Sequence, residues 1–155
     1  MRRSVLSRLS VLGGLLLAAC SDATGPSDPL TLLSQNMTLW NQRGLPSYQF
    51  TIQRVCECIP EQMGPVVVEV RNGVVQQRRY QTGTAVSPQF DDLFRPVPGL
   101  FELIHDAIHF PVAALAVRYD RFYGFPESIQ IDWVAGEADD EVSYLISDFA
   151  VLPSS

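Results

Sequence analysis

The sequence predicts a single α+β domain, ordered helix, three strands, helix, three strands, with a largely antiparallel sheet and the helices packed on one face. Three observations carry this. Apolar residues recur at helical spacing in two stretches, around Leu30–Trp40 and Leu100–Ile108. Most of the rest alternates apolar and polar, as half-buried strands do. Asn72-Gly73 sits between two apolar runs, which marks a tight hairpin, and strands in runs between single helices argue against a parallel βαβ sheet. The chain has 155 residues, 46% hydrophobic and 18% charged, enough for one domain with its own core and too few for two ordinary ones.

Asp28 as a cap and Pro29 in the first turn open helix one, Leu30 to Arg43. Leu30, Leu33, Met37 and Trp40 form its apolar stripe, and Gly44 and Pro46 end it. Ser47 to Cys58 alternates, with Tyr48, Phe50 and Ile52 on one face. Val66–Arg71 and Val74–Tyr80 flank the Asn-Gly turn, pairing Arg71 with Val74 and Val70 with Val75. Residues 81–98 are irregular, yet Phe90, Leu93 and Phe94 are too apolar for a solvated loop. Helix two runs from about Gly99 to His109 on the stripe Leu100, Leu103, Ile104, Ala107 and Ile108. Three strands follow: Leu115–Asp120, Glu127–Trp133 and Val142–Val151.

The first residues read as an address. Arg2, Arg3 and Arg8 precede a mostly apolar run from Leu9 to Ala19, about half of the roughly 20 residues a membrane-spanning helix needs. Leu17-Ala18-Ala19-Cys20 resembles the lipobox of bacterial lipoproteins, which implies cleavage before Cys20 and acylation of its sulfur. The expected organisation is a signal peptide over 1–19, the lipidated Cys20 with a flexible tether over 20–29, and the domain over 30–155. The tether, Ser21 to Pro29, is polar and broken by Gly25, Pro26 and Pro29, and reaches at most about 30 Å. Every basic residue is Arg, and three leave with the signal. That leaves 8 Arg against 17 acidic residues, a formal charge of −9. Such a domain is repelled by nucleic acid and by anionic head groups, so nucleic acid is excluded as a partner and the bilayer is reached through acylated Cys20.

Four constellations hold candidate chemistry. Cys56 and Cys58 are the thiols left once Cys20 is acylated, and two Cys in an oxidising compartment usually pair. In a regular strand their Cα atoms would stand about 6.6 Å apart, so pairing calls for a bend. His105 and His109 are spaced to share a metal, but with Glu102 and Asp106 they also make the ordinary solvated face of helix two. Asp120, Asp132, Asp139, Asp140 and Glu141 offer oxygens of the kind Ca²⁺ takes, without an Asp-x-Asp-x-Asp-Gly loop; turn and cap chemistry explains them equally well. Tyr119, Phe122, Tyr123, Phe125 and Trp133 surround a Gly-Pro turn, as a binding surface or as a plug for the core. Neither a Gly-x-Ser-x-Gly elbow nor a phosphate-cradling Gly loop is present, and no cofactor is expected.

Tyr48-Gln-Phe50, Cys56-Glu-Cys58, Val66 to Gly73, Leu100-Phe101, Tyr119-Asp120, Tyr123-Gly124-Phe125-Pro126, Asp132, Asp139-Asp140-Glu141 and Tyr144 together resemble a family of bacterial lipoproteins catalogued as a domain of unknown function. The resemblance spans roughly residues 38–149, with Phe125 where the family pattern has a second Tyr. It implies a secreted, anchored α+β domain and no assigned activity. The sequence therefore predicts an extracytoplasmic lipoprotein, facing the periplasm from the outer membrane where the organism has one. Its domain is expected to be a non-catalytic binding module for a ligand or an envelope protein, with Tyr119, Asp120, Tyr123, Phe125 and Trp133 as the surface. The alternatives are a thiol–disulfide redox protein using Cys56 and Cys58, and a Ca²⁺-stabilised structural domain.

Overall fold

Helix α1 (Pro29–Arg43) begins where its caps require. The Asp28 carboxylate accepts from the Thr31 amide at 3.1 Å and from its hydroxyl at 3.3 Å, and Gly44 closes the other end at φ 57°. These are features of a computed structural model that describes residues 28–110, 112–137 and 140–153. The expected signal peptide, Cys20, the tether up to Ser27, and Asp139 lie outside the described residues.

The remaining elements are β1 (Tyr48–Val55), β2 (Val66–Arg71), β3 (Val74–Tyr80), α2 (Val97–His109), β4 (Ala114–Tyr119), β5 (Pro126–Asp132) and β6 (Glu141–Val151). Short 3-10 turns lie at Pro60–Gln62 and Pro88–Leu93. The six strands form one sheet in the order β3-β2-β1-β6-β5-β4, every neighbouring pair antiparallel. This is the α+β class the sequence predicts. The two halves share an order of elements but are not a structural repeat. The first strand of one half is central and that of the other, β4, is an edge.

Strand alternation assigns the two faces. Phe50, Ile52, Val66, Val68, Val70, Ile129 and Ile131 are all but inaccessible to solvent, and Tyr144 and Ile146 continue the same face across β6. Against them pack Leu33 and Trp40 of α1 and Val97, Leu100, Phe101, Ile104 and Ala107 of α2. Each fully buried aliphatic or aromatic side chain contributes about 1.5–3 kcal/mol.

The hairpin register is the expected one, Arg71 opposite Val74 and Val70 opposite Val75. Its turn is tied down by the Gly73 amide donating to the Pro46 carbonyl at 2.7 Å and the Asn72 amide donating to buried Ser47 Oγ at 3.1 Å. The irregular segment after β3 does pack. Phe94 is fully buried, and Arg78 holds the segment by donating to the Phe94 carbonyl at 2.7 Å and pairing with Asp91 at 3.2 Å.

Strand β1 ends at Val55 rather than Cys58, and three other features differ from expectation. The buried side of α1 is rotated: Leu33 and Trp40 are buried, but Leu30 and Met37 are 44% and 37% exposed. The turn at Gly124 lies close against Asn36 and Leu39, on the neighbouring flank of the helix. Helix α2 starts two residues early, at Val97, directly after Pro96. Strand β5 ends at Asp132, so Trp133 is not part of it and lies half-buried against the core instead.

Gly124 is the tightest point of the fold. It sits at φ 82°, and a Cβ there would stand 2.6 Å from the Asn36 carbonyl oxygen. Gly136, at φ 86°, has open space around it. Gly124→Ala is expected to cost about 3 kcal/mol or more in urea denaturation and Gly136→Ala about 1 kcal/mol. Equal losses would contradict the close approach of the turn to α1.

Candidate functional site

Because both helices lie on one face, the other face of the sheet is open. Gln53, Leu145 and Ser128 stand side by side on it, followed by Val55, Ser143, Gln130 and Ala116. Where β4, β5 and β6 run together this face holds a hollow of about 320 Å³, with Ala114 and Ala116 giving it room and Gln130, Asp132, Glu141 and Ser143 bringing polar groups to it. Asp132 and Glu141 are direct cross-strand neighbours, so two carboxylates stand together at one end. Asp132 Oδ1 is shut off from solvent and meets no donor among the described residues. A buried acceptor without a donor is costly, and a ligand N–H or O–H would relieve it. Further along the same face Glu69 accepts from Arg71 at 2.7 Å and Gln77 at 2.6 Å, and these bonds hold its carboxyl below the usual carboxylate range.

The acidic set is divided by the length of β5. Asp120 lies beyond the end that begins at Pro126; its Oδ1 accepts from the amides of Phe122 and Tyr123, which is turn chemistry. Asp132, Asp140 and Glu141 lie at the other end. Among the described residues no group of three or more His, Cys, Asp or Glu side chains is placed to hold a metal ion.

The aromatic set is divided in the same way. Phe125 is buried, Tyr119 stacks on Phe101, and Trp133 lies past the far end of β5. Tyr123 and Phe125 belong to a plug that reading along the chain misses. A bulge in β6 at Asp148, φ 52°, turns Phe149 inward to within 4.5 Å of Phe125, 5.0 Å of Tyr123, 5.7 Å of Tyr48 and 6.0 Å of Trp40, measured between ring centroids. Phe122 stays exposed, with the Arg43 guanidinium 4.0 Å over its ring.

His105 and His109 stack at 4.1 Å on the exposed side of α2, and His109 Nδ1 is 2.8 Å from the His105 carbonyl oxygen, which marks that nitrogen as the protonated one. Cys56 and Cys58 follow the end of β1 at a bend, with Cα atoms 5.4 Å apart and the sulfurs at disulfide distance. That is shorter than the extended spacing because the strand has already ended at Val55. Beside them Arg54 is tied inward, donating to the Gln62 carbonyl at 2.8 Å and lying over the Tyr144 ring.

Sequence reasoning did not single out Gln130, Ser143, Ala114 or Ala116. Their signal was only the polar or small member of each alternating pair, which any open face shares.

A six-stranded antiparallel sheet with two helices packed on one face defines a two-layer α+β domain. The chain belongs to DUF6174, a family of unknown function whose model matches residues 32–151. Comparison with curated proteins and with solved structures found no match.

Two titrations bear on stability. Burial pushes the Tyr48 hydroxyl up to about 12, against a lowering by the Val97 amide, and burial pushes Tyr119 up to about 12. Both phenols stay neutral in the folded chain after the unfolded chain has begun to ionise near pH 10, so stability is intact below pH 10 and falls between pH 10 and about 12. Buried Tyr48 contributes a slope of up to about 1.4 kcal/mol per pH unit, and part-exposed Tyr119 less, because solvent screens it. Tyr119→Phe is expected to flatten that alkaline loss in chemical denaturation; an unchanged slope would contradict its burial. Joining Cys56 to Cys58 closes a very small ring, so the Cys56→Ala/Cys58→Ala variant is expected to lose only about 1–2 kcal/mol and to unfold cooperatively.

Proposed function

We propose that this protein is an exported bacterial lipoprotein, anchored through acylated Cys20, whose domain is a non-catalytic binding module of the cell envelope. The lipobox, the short apolar run before it and the polar tether support the anchoring. Where the organism has an outer membrane, the domain faces the periplasm. Cys56 and Cys58 are bonded there and serve the local bend.

The observation that carries the binding role is the hollow on the open sheet face, lined by Asp132, Glu141, Gln130 and Ser143, with Asp132 Oδ1 meeting no donor among the described residues. These groups suit a small ligand rich in hydrogen-bond donors, an amine or a polyhydroxylated molecule. The negative charge of the domain favours the amine. Of the aromatic set, read from the sequence as a binding surface or as a plug for the core, Phe125 is buried and Tyr119 and Tyr123 stack on other rings, which supports the plug.

The test is heteronuclear NMR of the full mature chain titrated with spermidine, then with glucosamine and N-acetylglucosamine. Saturable shifts at Ala116, Gln130 and Ser143, lost in Asp132→Asn, are the expected result. Shifts confined to other surfaces, or chemical turnover of a probe, would overturn the reading.

A further inference from the structure

The end of the domain where α1 begins is ringed by apolar side chains that nothing in the chain covers among the described residues. Phe110, just past the end of α2, is 61% exposed, and Leu30, in the first turn of α1, is 44% exposed. Ile108, Val112 and Leu115 edge a hollow of about 390 Å³ that Asp28 and Pro29 close on one side. A second hollow of about 240 Å³ shares Pro29 and Leu115 and continues along β4.

The position of this pole relative to Cys20 follows from chain length. Asp28 is the eighth residue after Cys20. Eight residues reach at most about 27 Å when fully extended, and as a flexible coil they average about 16 Å. The intervening Ser21–Ser27 segment is mostly polar and contains Gly25 and Pro26.

We propose that this apolar pole is a membrane-docking surface. Resting on the acylation of Cys20 proposed above, it sets Phe110 and Leu30 into the boundary between head groups and acyl chains of the bilayer that holds the anchor. The contact is apolar. Among the described residues that line the two hollows the one charged group is Asp28, whose carboxylate is occupied by Thr31, so no basic patch draws the pole to anionic lipid. The docked pole adds a second point of attachment to the lipidated cysteine and fixes how the domain stands. Phe122, equally exposed at 58%, marks the opposite pole, because its carbonyl accepts from Arg43 at the far end of α1, about 21 Å along the helix. Ala114 lines both the docking pole and the hollow on the open sheet face, so the candidate ligand site is membrane-proximal.

The test uses the mature full chain in the Cys56→Ala/Cys58→Ala background, with Phe110→Cys or Phe122→Cys carrying an environment-sensitive fluorophore. The acylated protein is reconstituted in phosphatidylcholine vesicles, and intact mass and flotation are read first. The expected result is that brominated lipid quenches the label at 110 several-fold more than at 122, while iodide reaches 122 and not 110. A floating, acylated protein whose two labels respond alike would overturn the docking surface and leave the anchor standing. Protection of position 110 from both quenchers would assign the pole to a second protein chain and overturn the proposal. An unacylated chain that does not float would overturn the anchoring itself, and the docking with it.

Discussion

The pairing of β1 with β6 holds the rest of the structure together. It joins residues about a hundred positions apart, Tyr48 opposite Val151 and Val55 opposite Ser143, and it is the seam between two three-stranded meanders. Neither meander has a helix of its own that closes it fully. The core forms only when Ile52 and Ile146 stand side by side and both helices lie across the joined sheet. The bulge at Asp148 belongs to the same seam. It lets β6 finish its pairing with Gln49 and Tyr48 while turning Phe149 into the cluster of Trp40, Tyr48 and Phe125.

One-sided layering follows from that seam and shapes what the molecule offers to others. Both helices are used to cover the apolar face, so the opposite face has to tolerate water. It carries Gln, Ser and small residues beside the exposed Val55 and Leu145, and a hollow lies where Ala114 and Ala116 take up little room. The edges are unequal. The outer side of β3 is partly closed by the return that bridges Arg79 to Ala85 and carries Val86 to the Arg78 carbonyl. β4 instead runs beside the apolar hollows near Pro29. The open face, the bare edge and the start of α1 therefore meet in one region of the molecule.

Features decided within a few residues were legible in the sequence. Asp28, Pro29 and Thr31 specify a helix start by local hydrogen bonding, Asn72-Gly73 specifies a hairpin by its backbone preference, and the α2 stripe from Leu100 to Ala107 specifies a buried face by its period. Features that depend on distant partners were not. Leu30 and Met37 fit the α1 stripe, but the Gly124 turn lies against the neighbouring flank. Trp133 continues the alternation of β5, yet the sheet ends one residue earlier. The acidic set and the aromatic set each read as one group along the chain, and the length of β5 sets Asp120 and Tyr119 at one end and Asp132 and Trp133 at the other. The hollow on the open face left no motif, since Ala, Gln and Ser acquire meaning there only through which strands become neighbours.

Native-state hydrogen exchange, resolved residue by residue across the six strands, tests the role of the seam most directly. Amides of β1 and β6 are expected to exchange last and only through global unfolding, with β5 and β2 close behind and the edge strands β3 and β4 opening earlier. If the β4–β5–β6 amides exchanged together at a distinctly lower free energy than those of β1–β2–β3, the two meanders would be opening independently. The account of a single structure built on the β1–β6 pairing would then be wrong.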